Sequence, residues 1–359
     1  VPCTITPRTE FIKIDTNITL RYLLNNPFVV EMENLVPLKK TLLESLLEFL
    51  LKDVIYIVFN YAVTYNSEEL IKTIEIYSQC NSIAVNDKQI FVSNGMTDKV
   101  CVYDKKTDKL LYTFGRLGTC IEKEGLMWED YNQRNRIAKT LNRVRFNYPC
   151  GLTINENILY VVDCNNHRIQ MFNIYGSEQV SFSDCFGKYG RDDDKFAYPT
   201  DIKIFDDEIF VCDSRNSKIK IYNKKNYKFI TSFWHKLCDH HLICCPISIS
   251  VDEKHIIISA ENCNFIPVFD KKTHHVIHKI NKILYPRYST IIDDEIFFIN
   301  RFNKINVFNK SSFMCIREIQ NDKIGLLLRG IALYDDEIYV LDGHVGFSVM
   351  HRFKRLYKN

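Results

Sequence analysis

Glycine and proline are scarce, with 12 and 9 in 359 residues, about half their usual combined share. That excludes collagen-like and glycine- or proline-rich low-complexity chains. It also means that tight turns must take their special backbone conformations largely from Asn and Asp. Tryptophan is almost missing, with two residues. Neither sign of charge dominates: 47 Lys and Arg stand against 44 Asp and Glu, for a net charge of +3. So even a balance does not by itself imply nucleic acid. No uncharged apolar run reaches the roughly 18 residues of a membrane helix. The most apolar stretch, 42–65, is broken by Glu44, Glu48, Lys52 and Asp53, so no membrane partner is expected. No signal-peptide pattern follows Val1. The 13 cysteines are odd in number and scattered from Cys3 to Cys315. They show no small disulfide framework and read as reduced thiols of a cytoplasmic protein.

What is present is a packed globular composition, 46% hydrophobic and 25% charged. Two regions differ in period. Over 38–63, Leu42, Leu43, Leu46, Leu47, Leu50, Leu51, Val54, Ile55 and Val58 recur at three and four, with Glu44, Glu48 and Lys52 opposite. This predicts amphipathic helices within an N-terminal region, 1–66. From about residue 67 the period falls to two. NDKQIFVSN at 86–94, NENILYVVD at 155–163 and DDEIFVCD at 206–213 share one pattern. DEKHIIISA at 252–260, DDEIFFIN at 293–300 and DDEIYVLD at 335–342 repeat it. Each is followed by another strand, such as VCVYD, IQMFN or IKIYN. Asp206, Asp252, Asp293 and Asp335 mark a period of roughly 40 to 45 residues, a propeller signature. Six units over 67–359 predict a mainly β, six-bladed propeller. The sixth unit ends just after its third strand, and 70–77 has strand composition. That segment is assigned to the outer strand of the last blade, which removes two unpaired sheet edges.

YVVDCNNHRIQMFN at 160–173 and CFGKYGRDDDKFAYPTDI at 185–202 resemble NHL repeats, in the apolar pair, Asp, Asn, basic, Ile order and the Phe-Gly to Pro linker. Asn94, Ala260 and Asn300 depart from the Asp at 163 and 213. The resemblance, over about 82–353, implies a six-bladed ring that binds protein or RNA. The segment LLKDVIYIVFNYA at 50–62 is similar to an F-box, with a BTB-like adaptor as the second reading. Under it Leu50, Leu51, Val54, Ile55, Val58 and Phe59 would dock an adaptor. A helix that merely packs on the ring has the same periodicity. The Asn-, Ile-, Lys- and Tyr-rich composition is similar to that of giant DNA virus proteins, which would place the chain in host cytoplasm.

Chain reversal at every turn puts first-to-second and third-to-fourth strand loops at one end of the ring. The acids at 206–208, 293–295 and 335–337, with the Lys pairs at 105–106, 224–225 and 271–272, read there as solvated hairpin charges. The other end holds second-to-third turns, blade connectors and every irregularity. An insertion at 119–147 carries Trp128 and the bases Arg134, Arg136, Lys139, Arg143 and Arg145, suited to an acidic peptide or phosphates. Arg168, Arg215 and Arg301 sit in neighbouring turns and add a positive rim. His235, Cys238, His241 and Cys244 are weak zinc candidates, without a second knuckle at standard spacing. Asp163 and Asp213, with Asn166 and Asn216, recur regularly and are expected to hold their local turns.

These readings favour a non-enzymatic interaction module: a propeller face for a protein partner, and N-terminal helices for an adaptor, such as that of a ubiquitin ligase. RNA binding is the alternative. A propeller hydrolase or lyase would need metal ligands or an acid/base pair converging on the axis. GLTIN, DIKIF and SISV of the innermost strands offer no such set, and no cofactor is expected.

Overall fold

The computed structural model describes residues 69–77, 80–119, 144–176, 179–233, 245–260, 265–281, 283, 286–300, 304–319, 328–343 and 347–355. All fall within the unit Asn60–Asn359. The helices expected over 38–63, and with them the six adaptor-docking residues, lie outside the described residues.

Strand β1 (Glu69–Tyr77) comes first. The first blade is β2 (Ser82–Val85), β3 (Gln89–Asn94), β4 (Lys99–Asp104) and β5 (Leu110–Phe114). The second is β6 (Pro149–Asn155), β7 (Ile158–Asp163), β8 (Arg168–Asn173) and β9 (Ser181–Phe186). The third is β10 (Pro199–Phe205), β11 (Glu208–Asp213), β12 (Lys218–Asn223) and β13 (Phe229–Phe233). The fourth is β14 (Pro246–Val251), β15 (His255–Ala260), β16 (Phe265–Asp270) and β17 (Val276–Asn281). The fifth is β18 (Pro286–Ile292), β19 (Glu295–Asn300), β20 (Ile305–Asn309) and β21 (Cys315–Ile319). The sixth is β22 (Leu328–Tyr334), β23 (Glu337–Gly343) and β24 (Phe347–Lys354), completed by β1. Among the described residues these make six four-stranded antiparallel sheets. β1 runs against β24 from Glu69↔Lys354 to Tyr77↔Phe347, so the ring is fastened by a strand from before the first blade.

Burial follows from this stacking. The second strand of each blade is covered on both faces by neighbouring blades, so it is a continuous apolar run and not an alternating one. Ile209, Phe210, Val211 and Cys212 are all fully buried. Among the described residues six apolar clusters fill the six seams between blades. Between blades one and two, Phe91, Val102 and Phe114 meet Leu159, Val161 and Phe172. Between six and one, Tyr339, Leu341 and Met350 meet Ile83, Ile90 and Val92. At the axis, polar side chains of one innermost strand hold the backbone of the next. Leu152 N–H donates to Ser82 Oγ at 3.2 Å. Asp201 Oδ2 accepts from Ile249 N–H at 3.0 Å and Ser248 Oγ–H at 2.8 Å. Gly151 lies so close that a Cβ would stand 2.7 Å from Asp201 Cα.

With glycine scarce, ordinary residues take the left-handed conformation at the turns: Glu156, Asp206, Asp293 and Asp335 after innermost strands, Asp108, Tyr227, His274 and Phe313 before outermost ones. Asp104, Asn223, Asp270 and Asn309 close the latter turns, each side-chain oxygen accepting backbone N–H bonds two or three residues on.

The charges at this end are not simply solvated. In five blades the residue just after the third strand is basic and reaches the preceding blade. Lys105 pairs with Asp335 at 3.3 Å, Lys224 with Glu156 at 3.3 Å and Lys271 with Asp206 at 3.3 Å. Lys310 pairs with Asp252 at 3.4 Å, and Arg355 with Asp293 at 2.8 Å and Glu295 at 3.0 Å. Lys105, Lys271 and Lys310 are each 14% exposed, whereas Asp206 and Asp335 are 71% exposed. The expectation fails for these cations because their side chains cross the seam, with Lys105 and Lys271 lying 4.0 and 4.5 Å from the centroids of the Tyr334 and Phe205 rings. In the second blade the clasp position is Ile174, whose N–H still bonds Asn157 O at 2.8 Å. The second blade therefore has no cation at the clasp position.

Candidate functional site

The opposite end is built from second-to-third strand turns lying on blade connectors. The Gly-x-x-Gly segments GRLG at 115–118 and GKYG at 187–190 let each connector pass closely over an aromatic ring. Gly115 and Gly187 both have φ +94°, and a Cβ would stand 2.3 and 2.5 Å from the Phe146 and Phe196 rings. Leu117 and Tyr189 each form a parallel bridge, to Phe146 and Phe196. The described parts of both connectors, 115–119 with 144–148 and 187–198, are thus held against the ring.

Asp163 and Asp213 anchor them. Asp163 Oδ1 accepts the Asn147 N–H at 2.8 Å, and Asp213 Oδ1 the Ala197 N–H at 2.7 Å. Their Oδ2 atoms take Asn166 Nδ2 at 2.9 Å and Asn216 Nδ2 at 2.7 Å. Those amides also donate to Gly118 O at 3.0 Å and Gly190 O at 2.8 Å. The expected hold on the local turn is made through the amides three residues on and is joined by a clamp on a connector about 16 residues earlier, the physical answer to otherwise unpaired backbone N–H groups. Burial raises both carboxyls above the ordinary value, against the pull of Arg168 on one and the Ala197 N–H on the other. Lys220, fully buried, lies 3.2 Å from Asp213 and donates to Asp192 O at 2.6 Å and to Lys195 O. Blade six repeats the theme, with Asp342 Oδ2 3.5 Å from His351 Nε2, and His351 Nδ1 3.1 Å from Thr73 Oγ1.

Arg168 does not belong to the rim. It is buried, its Nε donates to Asp163 Oδ2 at 2.7 Å and its Nη2 to Arg145 O at 2.9 Å. Its position beside a buried carboxylate draws the guanidinium inward. Arg215 is exposed at the tip of the third blade's turn. Arg145 is half-buried, its stem lying against Gly118. Trp128, Arg134, Arg136, Lys139, Arg143 and Arg301 lie outside the described residues, as do the zinc candidates His235, Cys238, His241 and Cys244. Among the described residues no group of three or more His, Cys, Asp or Glu is placed to hold a metal ion. None of their helices is long and apolar enough to cross a membrane.

Residues not singled out from sequence occupy the surface. Tyr148 and Tyr198 each precede the proline opening an innermost strand, at φ +59° and +51°. Such angles are costly for bulky residues. They are held because Tyr148 N–H donates to Asp98 Oδ1 at 2.7 Å and Tyr198 N–H to His167 Nδ1 at 3.1 Å. Asp98 and His167 fill equivalent turn positions, themselves left-handed. The accepting Nδ1 places the His167 proton on Nε2, and burial lowers its pKa. The His167 ring contacts Tyr189 and Tyr198 at centroid distances of 4.8 and 4.6 Å. Tyr189 is 69% and Tyr198 43% exposed, and at the same end Leu117 is 66% and Met96 64% exposed. The repeated Tyr-Pro pairs at 148–149, 198–199 and 285–286 were the available signal.

A comparison with curated proteins finds no match. A family model described as TolB-like 6-blade propeller-like matches residues 129–294, which run from the insertion through blades two to four into the fifth. Over that span the chain is similar to the TolB-like six-bladed propellers.

Proposed function

We propose that the chain is a non-enzymatic protein-interaction module. The turn-and-connector end of the propeller would bind a protein partner. The N-terminal segment, through Leu50, Leu51, Val54, Ile55, Val58 and Phe59, would dock an adaptor such as that of a ubiquitin ligase, in the cytoplasm. One observation carries this reading: the polar residues that recur at this end are consumed in clamping connectors, while Tyr, Met and Leu side chains are left at the surface. Enzymes need polar groups freed for chemistry; interfaces need exposed aromatic and apolar anchors on a rigid frame.

The test is affinity purification of the full chain, of a chain without residues 1–66, and of the Val54→Asp/Val58→Asp variant. An adaptor lost in both altered chains, with ring partners retained, supports the reading. An unchanged partner list removes the adaptor half of it. Salt-sensitive RNA retention reduced by Arg143→Glu/Arg145→Glu would favour an RNA-binding propeller instead.

A further inference from the structure

We propose that the connector end of blades one to three docks an acidic protein segment carrying apolar side chains, an inference that rests on the interaction reading above. The surface is one contiguous arc. The first connector carries Arg116 and Leu117 and receives Asn166 through Gly118 O at 3.0 Å. His167 follows in the same turn and touches Tyr189 and Tyr198 on the next connector. That connector receives Arg215 N–H at Ala197 O, 3.0 Å away, and Asn216 at Gly190 O, 2.8 Å away, just before Arg191. Exposed apolar groups and guanidiniums therefore lie along a single path.

Charge complementarity selects the occupant. Arg116, Arg191 and Arg215 are all exposed, and among the described residues none of the three has an ion-pair partner. Arg168, one position beyond His167, is buried against Asp163, and at the opposite end the clasp bases are neutralised by carboxylates. Exposed guanidiniums beside exposed Tyr and Leu favour carboxylates flanking an apolar anchor, since Arg pairs carboxylates in a planar fork and the rings supply desolvated area. A continuous phosphate backbone fits less well. Asp192 and Asp194 cancel Lys195 and Lys188 in ion pairs, and Asp193 between them is exposed without one among the described residues, so a polyanion tracking the arc would find its positive path interrupted. A peptide with spaced carboxylates avoids these acids.

The closing experiment selects binders to the full chain from a random displayed peptide library and measures the best ones by fluorescence anisotropy. The expected binders carry two or more Asp or Glu beside Trp, Phe, Leu or Pro. Arg116→Glu/Arg191→Glu/Arg215→Glu and, separately, Tyr189→Ala/Leu117→Ala should each weaken them by about tenfold or more. Raising salt should weaken wild-type binding, and exchanging the peptide acids for Lys should shift preference to the charge-reversed variant. Lys106→Glu/Lys272→Glu at the other end should change nothing. Binders without acids, or binders indifferent to both arc variants, overturn this inference and leave the interaction reading standing. Tighter binding of a single-stranded oligouridylate, lost on the same charge reversal, overturns it in favour of nucleic acid. A library that yields no binder overturns it too; a full-chain purification without specific partners then removes the broader reading as well.

Discussion

His167 shows how one side chain sets a surface. Its Nδ1 holds the Tyr198 N–H only while unprotonated, and burial depresses its pKa in the fold. A depressed folded-state value means stability that is complete above about pH 6.5, the ordinary histidine value, and is lost as pH falls through the lower one. Denaturant melts from pH 7 to 5 should show this loss. His167→Asn, which keeps an acceptor and tolerates the left-handed angle, should abolish it. His167→Ala should cost about 1 kcal/mol at pH 7, the worth of a hydrogen bond. A pH response unchanged in His167→Asn would assign the effect elsewhere. Lys220 makes a sharper case. Its ammonium is fully buried against Asp213, so Asp213→Asn leaves an uncompensated charge and should cost about 3 kcal/mol, read as a shifted midpoint in urea.

At the scale of the element, seams decide stability. Each clasp joins one blade's third strand to its predecessor's hairpin and is only partly shielded. Lys310→Met should therefore cost about 1 kcal/mol, near the upper end for such pairs. Lys271→Met/Lys310→Met should be additive to within about 0.5 kcal/mol, because the two seams share no partner. Marked non-additivity would show that strain passes round the ring. The sequence displayed the Lys and Asp of these clasps, but hairpin charges at the surface look alike whether solvated or paired. Which carboxylate a Lys reaches depends on blade-to-blade placement, and that has no local signature.

For the whole molecule, closure is the decisive contact. β1 covers the edge of β24 and buries Ile76, which is 1% exposed. Removing residues 1–77 should bare that edge, lower stability by roughly 3 kcal/mol or more from lost apolar burial, and promote aggregation. Removing residues 1–68 should leave the cooperative transition of the ring intact. Calorimetry with light scattering separates the two; equal melting of both truncations would mean that β1 contributes nothing to closure.

The repeats at 86–94, 155–163, 206–213, 252–260, 293–300 and 335–342 determined six blades, because strand composition and turn spacing are local and recur. The strand composition of 70–77 determined a partner for the last edge in the same way. The roles of Asp163 and Arg168 did not follow in full: each also depends on a connector that folds back onto the turn, from Asn147 and Arg145, about 16 and 23 residues away, so residue type alone suggested a purely local bond and a free rim charge. The same holds for Tyr189, Tyr198, Leu117 and the guanidiniums between them. Sequence spells each of them, but only the stacking of blades, which hides one side chain and leaves its neighbour in water, decided that they share a surface.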